Sequence, residues 1–162
     1  AGGLRLFEDS GAEIIVHAEE YRTVENLTAP ENFFNPVEFA VRKHNKPTLV
    51  YEETELTSGV RFVELPGHTP GTMGLLVELD HTGPVLLTSD ALYTHQNYGP
   101  PATGSPISWD QPSWMHSVEE IRRLAVEHEA LLFPGHDDTA IKQYKGGSQF
   151  RQIEFWESYQ YE

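Results

Sequence analysis

The chain contains no cysteine. Disulfides and thiolate zinc sites are therefore excluded, and the redox compartment cannot be read from cysteine usage. Basic residues are scarce: 11 Lys and Arg stand against 25 Asp and Glu, for a formal net charge of −14. Such a surface is unsuited to DNA or RNA, whose phosphates need clustered Lys and Arg, and equally to anionic membranes. Long apolar runs are lacking as well. The longest, Leu75 to Val77, Val85 to Leu87 and Ala130 to Phe133, are far too short to span a bilayer. The opening Ala1-Gly2-Gly3-Leu4 has no Met, no basic stretch and no apolar core, so it reads as neither a signal peptide nor an ordinary translation start. With no signal or spanning segment visible, a cytoplasmic location is the expectation.

What is present suits one folded domain. The 162 residues are 38% hydrophobic and 11% aromatic, enough to form a core and too much for disorder. Leu4 to Phe7 reads as the end of a helix, Glu13 to His17 as a short strand and Ala18 to Asn26 as a helix. Thr28 to Pro36 is loop-like, and Val37 to His44 suits one or two helical turns. Thr48 to Tyr51, Glu53 to Thr57 and Val60 to Leu65 read as strands, with Ser58-Gly59 as a hairpin turn between the last two. Met73 to Leu79 and Val85 to Thr88 are further strands, followed by a long Pro-, Gly- and Ser-rich segment from Tyr93 to Pro112. Ser113 to Glu129 reads as a helix, with Ser117 and Glu120 as a capping box. Leu131 to Phe133 is a short buried strand, and Phe150 to Tyr159 a closing helix. The mixture points to an α/β or α+β sandwich.

Three segments share one pattern: a short apolar strand ends, and a metal-competent side chain follows in a tight turn. They are Val63-Glu64-Leu65-Pro66-Gly67-His68-Thr69-Pro70-Gly71, Val85-Leu86-Leu87-Thr88-Ser89-Asp90-Ala91 and Leu131-Leu132-Phe133-Pro134-Gly135-His136-Asp137. Two imidazoles and a carboxylate, His68, His136 and Asp90, suit zinc or a similar ion, with a position left open for water. Taken alone, Asp90 is equally a turn residue or helix cap. Tyr93, three residues after Asp90, either points its phenol towards a substrate or packs its ring under the loop. The remaining histidines carry less. His81 lies in a turn, His44 and His128 near helix ends, His95 in the long loop, either approaching substrate or, the favoured reading, solvated, His17 at a strand end, and His116 near a helix start.

The stretch from Glu64 to Asp137 resembles the second half of the metallo-β-lactamase superfamily. In that family a His-x-His-x-Asp-His cluster is followed by a lone His, a bridging Asp and a last His. Here His68, Asp90 and His136 match those three, 22 and 46 residues apart. The branch most similar is the N-acyl homoserine lactonases, which carry a Tyr three positions after the bridging Asp, as Tyr93 does; Glu13 to Tyr21 also looks like that branch. The resemblance implies a four-layer αββα sandwich and a metallo-hydrolase. Two zinc ions would hold a metal-bound hydroxide that opens a lactone ring, with Tyr93 as a catalytic residue. Iron or manganese are alternatives to zinc.

One departure matters. No His-x-His-x-Asp-His occurs in these residues, and Ala-Gly-Gly follows that cluster in the family. The resemblance thus implies that residues 1–162 are the C-terminal portion of a single domain, with the N-terminal part missing. The chain would hold one ion or none, and its missing segment would be a partner. The small-molecule partner would be an acyl lactone or related ester, and a homodimer stays open. Rival expectations are a glyoxalase II-like thioesterase, another metallo-hydrolase such as a phosphodiesterase, or a metal-free non-catalytic fragment. The loop from His95 to Trp114, with Tyr98, Ile107 and Trp109, would help line an acyl-chain pocket.

Overall fold

Apolar residues at alternate positions from Val60 onward build the central sheet of the computed structural model, which describes residues 7, 10–27, 46–103, 105 and 107–137. Five strands, β3 (Thr54–Thr57), β4 (Val60–Glu64), β5 (Met73–Leu79), β6 (Gly83–Ser89) and β7 (Leu131–Pro134), lie in that spatial order. The first four pair antiparallel and β7 joins β6 in parallel. A parallel neighbour needs a long crossover. Here α3 (Gln111–Glu127) lies within it, preceded by the short α2 (His95–Tyr98). A second, two-stranded parallel sheet pairs β1 (Ile15–His17) with β2 (Thr48–Val50), and α1 (Ala18–Glu25) follows β1 directly. The architecture is mixed α/β, as expected. Among the described residues no helix is long and apolar enough to cross a membrane.

The two faces of the five-stranded sheet differ. On one, Val63, Leu76 and Leu86 join Leu65, Ala91, Leu92 and the α3 residues Ile121 and Leu124 in a buried core. Each of the Val, Leu and Ile side chains contributes roughly 1.5–3 kcal/mol on burial. The other face carries two cross-strand apolar rows, Phe62–Leu75–Leu87–Phe133 and Val60–Val77–Val85–Leu131. Its residues are half-buried, apart from the exposed Leu131. A groove of about 410 Å³ runs across it, lined by Phe62, Met73, Leu75, Leu87 and Phe133 and reaching Ser89 and Gly135.

Several expectations are corrected. Helix α3 begins before Ser113, and its cap is Asp110, whose carboxylate accepts from Ser113 N at 2.8 Å. Pro112 is tolerated in the first turn, where its missing N–H costs no helical bond. Ser117 therefore caps nothing: it is buried mid-helix and donates its hydroxyl to Pro66 O at 2.6 Å. The long loop is shortened by α2. The helix ending at Phe7, the loop and helix between Thr28 and His44, and the closing helix from Phe150 lie outside the described residues, apart from Phe7 itself.

Candidate metal centre

The first candidate turn follows β4 and is fixed from several sides. Gly67 has φ +132°, and a Cβ there would land on the backbone N and Cα of Trp114. Only glycine lets the strand exit run this close to α3. Asp110 N donates to Gly67 O and Trp109 N to His68 O, both at 3.0 Å. Inside the turn Thr69 N donates to Thr72 Oγ1 at 2.9 Å, and from α1 Glu20 accepts Gly71 N at 3.1 Å. His17 is accounted for here as well. Its Nδ1 caps α1 by accepting from Glu19 N, and its Nε2 meets Glu64 Oε1 at 3.1 Å.

The second and third turns follow β6 and β7, whose parallel pairing brings their ends to one edge. Ser89 sits in the left-handed region at φ +50°, the kind of backbone strain that collects at functional sites. Gly135 packs against it: a Cβ there would stand 2.6 Å from Ser89 O and 3.2 Å from Asp90 Oδ1. Gly135 N donates to Leu92 O, and His136 N to Tyr93 O, each at 2.9 Å.

These turns bring the four expected residues together. Asp90 lies between the two imidazoles, with Oδ2 3.3 Å from His68 Nε2 and Oδ1 2.9 Å from His136 Nε2. Tyr93 stacks on the His136 ring at a 4.7 Å centroid distance and meets the His68 ring edge-on. Its hydroxyl is 3.1 Å from His68 Nδ1. Burial first, and the Asp90 charge second, push the Tyr93 phenol above its ordinary value, so it keeps its proton at neutral pH.

The hydrogen-bond roles follow from one neighbour. His68 Nδ1 lies 2.9 Å from Ile107 O, which can only accept. Nδ1 therefore carries the proton, and Tyr93 Oη accepts from it too or stands beside it. This leaves the Tyr93 O–H free to donate elsewhere. In the neutral ring the lone pair then lies on His68 Nε2, facing a carboxylate oxygen. Two acceptors at that separation call for a proton or a cation between them. In donor type and in the aim of both Nε2 atoms, the residues fit a divalent ion such as zinc. They neighbour one another in pairs, however: among the described residues no group of three His, Cys, Asp or Glu side chains is arranged to hold a metal ion.

Other expectations fare differently. Tyr98 packs against the core with the Arg122 guanidinium over its ring, so it is no obvious pocket wall. Ile107 and Trp109 stay largely exposed beside His68, at 40% and 41%. His95 is not merely a solvated loop residue: its Nδ1 lies 2.7 Å from Asp137 Oδ2. His128 caps the end of α3 and meets Arg61 at 3.2 Å, away from the candidate centre. Asp137 meets His95 through the three-dimensional approach of two turns, which no local pattern in the sequence shows. The histidine-aspartate succession at 136 and 137 is the one local signal of Asp137 itself.

A profile of the Metallo-beta-lactamase superfamily matches residues 1–136. An N-acyl homoserine lactonase of a Bacillus species is 34% identical over 105 residues, covering 62% of this chain and 40% of that protein. The N-acyl homoserine lactonase AiiB of Agrobacterium fabrum is 32% identical over 157 residues, covering 85% and 52%. The chain thus spans about half the length of the curated relatives it matches. Among solved structures, an N-acyl homoserine lactone hydrolase with the product N-hexanoyl-L-homoserine at its catalytic metal centre superposes with a TM-score of 0.73. It is 27% identical, over 88% of this chain and 53% of that one. AidC, a dizinc quorum-quenching lactonase, shares the fold at a TM-score of 0.62, with 20% identity over 78% and 48% of the two chains. The edge that gathers His68, Asp90 and His136 is therefore set in a fold shared with these proteins, and the chain belongs to the metallo-β-lactamase superfamily.

Proposed function

We propose that residues 1–162 form the C-terminal portion of a metallo-β-lactamase-like domain that hydrolyses an acyl homoserine lactone or a related ester. The observation that carries this is the seat of Asp90 between two Nε2 atoms, with a protonated phenol beside them. His68, Asp90 and His136 would hold zinc, which when bound polarises a carbonyl and acidifies a water. Ile107 O keeps His68 in the tautomer that offers Nε2 outward. Tyr93 donates its hydroxyl proton as a hydrogen bond to the oxyanion that develops on the attacked carbonyl. The exposed Ile107 and Trp109 side chains give an acyl chain an apolar rim.

The same reading supplies a partner for the half-buried sheet face: the segment bearing the His-x-His-x-Asp-His cluster. Its support is the coverage of about half of each relative, together with a groove that ends at Ser89 and Gly135, beside Asp90 and His136. A second reading, a metal-free fragment, is favoured by the lack of a three-donor group among the described residues.

Zinc titration by calorimetry separates the two. Binding by the chain that is lost in Asp90→Ala supports the first, and less than about one ion per chain, with no effect of the substitution, sinks it. Where turnover is present, a panel of an acyl homoserine lactone, a thioester and a phosphodiester assigns the substrate class, and preference for the thioester would overturn the lactone. Tyr93→Phe lowers turnover by about 10²-fold with metal content unchanged.

A further inference from the structure

Asp137 is a carboxylate with only 6% of its surface exposed, directly after a candidate ligand. A buried carboxylate is costly unless it is hydrogen-bonded. One oxygen, Oδ2, takes two contacts from a single residue 42 positions earlier: it accepts His95 N at 2.9 Å and lies 2.7 Å from His95 Nδ1. An ionised carboxylate only accepts, so the ring nitrogen facing it bears the proton.

The place of this pair in the fold gives it meaning. The turn after β6 and the turn after β7 are joined by two main-chain bonds, Gly135 N to Leu92 O and His136 N to Tyr93 O. Beyond these the ladder gives out, and Asp137, one residue after His136, with His95, two residues after Tyr93, supplies the next rung from a side chain. Two contacts that depend on how the two turns sit together lie close to this rung. They are the 2.9 Å approach of His136 Nε2 to Asp90 and the stacking of Tyr93 on His136. Charge-assisted bonds of this length are among the stronger ones a protein makes.

We infer that Asp137 and His95 are a positioning pair, which holds the turn carrying Asp90 and Tyr93 in register with the turn carrying His136. Its consequence for metal affinity rests on the ligand reading above; the brace itself does not.

The test uses the full chain with Asp137→Ala, Asp137→Asn and His95→Ala, and two measurements. Amide hydrogen exchange is followed by NMR at Gly135 and His136, with Ile121 and Leu124 in α3 as the reference. Asp137→Ala should speed exchange at the two turn amides by about tenfold or more and leave α3 unchanged, as expected for local opening. Asp137→Asn should restore most of the protection, because its amide oxygen still accepts from His95 N. If Asp137→Ala does not fold, His95→Ala removes only the ring arm and should give the same local pattern. Unchanged exchange at Gly135 and His136, or a uniform rise that includes α3, overturns the brace.

The second measurement is zinc affinity, expected to fall about 10–100-fold in Asp137→Ala and to return in Asp137→Asn. Affinity held at the wild-type value overturns the positioning role. A wild-type chain that binds no zinc while the exchange pattern appears as stated overturns the ligand reading and supports the brace.

Discussion

Replacing Gly67 by alanine should be among the most damaging single-methyl changes in the described fold. Two costs combine. At φ +132° an L-residue is strained whatever space surrounds it, at about 1–3 kcal/mol. The added methyl also lands on Trp114 N and Cα, with Trp114 Cβ at 2.7 Å, and overpacking of that kind costs a further 1–3 kcal/mol or so. Since the obstructing atoms are mostly backbone, no rotamer change relieves them, and the strand exit or the first turn of α3 must move. A loss of about 2–6 kcal/mol is a large share of the roughly 5–15 kcal/mol that holds a domain together. Urea unfolding followed by tryptophan fluorescence is the assay, because Trp114 is fully buried at this contact. The midpoint should fall by about 1 M or more, given slopes near 1–3 kcal/mol per M. Trp114→Ala in the same chain, followed by circular dichroism because it removes the fluorescent reporter, should not rescue it, since N and Cα remain. A midpoint shift below about 0.3 M, or full rescue by the double variant, would refute the argument.

Three further outcomes follow from other contacts. Leu86→Ala empties a wholly buried position between the sheet and α3, and should cost about 2–5 kcal/mol by the same assay. Ser117→Ala strands Pro66 O beside the candidate turn, where the 2.6 Å bond is lost, at roughly 1–3 kcal/mol; Ser117→Thr should recover part of it. The hydrogen bonds from Ser113 hold the Asp110 carboxyl below its ordinary value of 3.8, so its contribution is complete above that value and disappears as pH falls through the folded-state one. Asp110→Asn keeps an acceptor for Ser113 N, and its acid unfolding curve should be flatter than the wild type's below pH 4, as measured by circular dichroism.

The parts of this fold that show in the sequence are those set by neighbours along the chain. Met73–Leu79 is a strand with the bounds its pattern predicts, and the Ser58-Gly59 turn joins β3 to β4. The strand-then-turn pattern also located His68, Asp90 and His136, because each sits where an apolar run stops. What stayed hidden is non-local. The hydroxyl of Ser117 looks like a cap until Pro66 is brought beside it by the sheet. His17 is an ambiguous strand end until its ring closes α1 and meets Glu64, 47 residues away. His95 and Asp137 have no common periodicity at all. They meet only because β7 lies alongside β6.

The parallel β6–β7 pairing has a further consequence. Ends of parallel neighbours emerge at the same edge, so Asp90 and His136 are placed by sheet register, whereas the connection between them merely has to return to the start of β7. Length or composition in the exposed part of that connection, around Ile107 and Trp109, can drift without carrying the two donors apart. The placement of Asp90 and His136 and the surface offered by the loop are thus physically separate: one follows from sheet register, the other from the loop's own sequence.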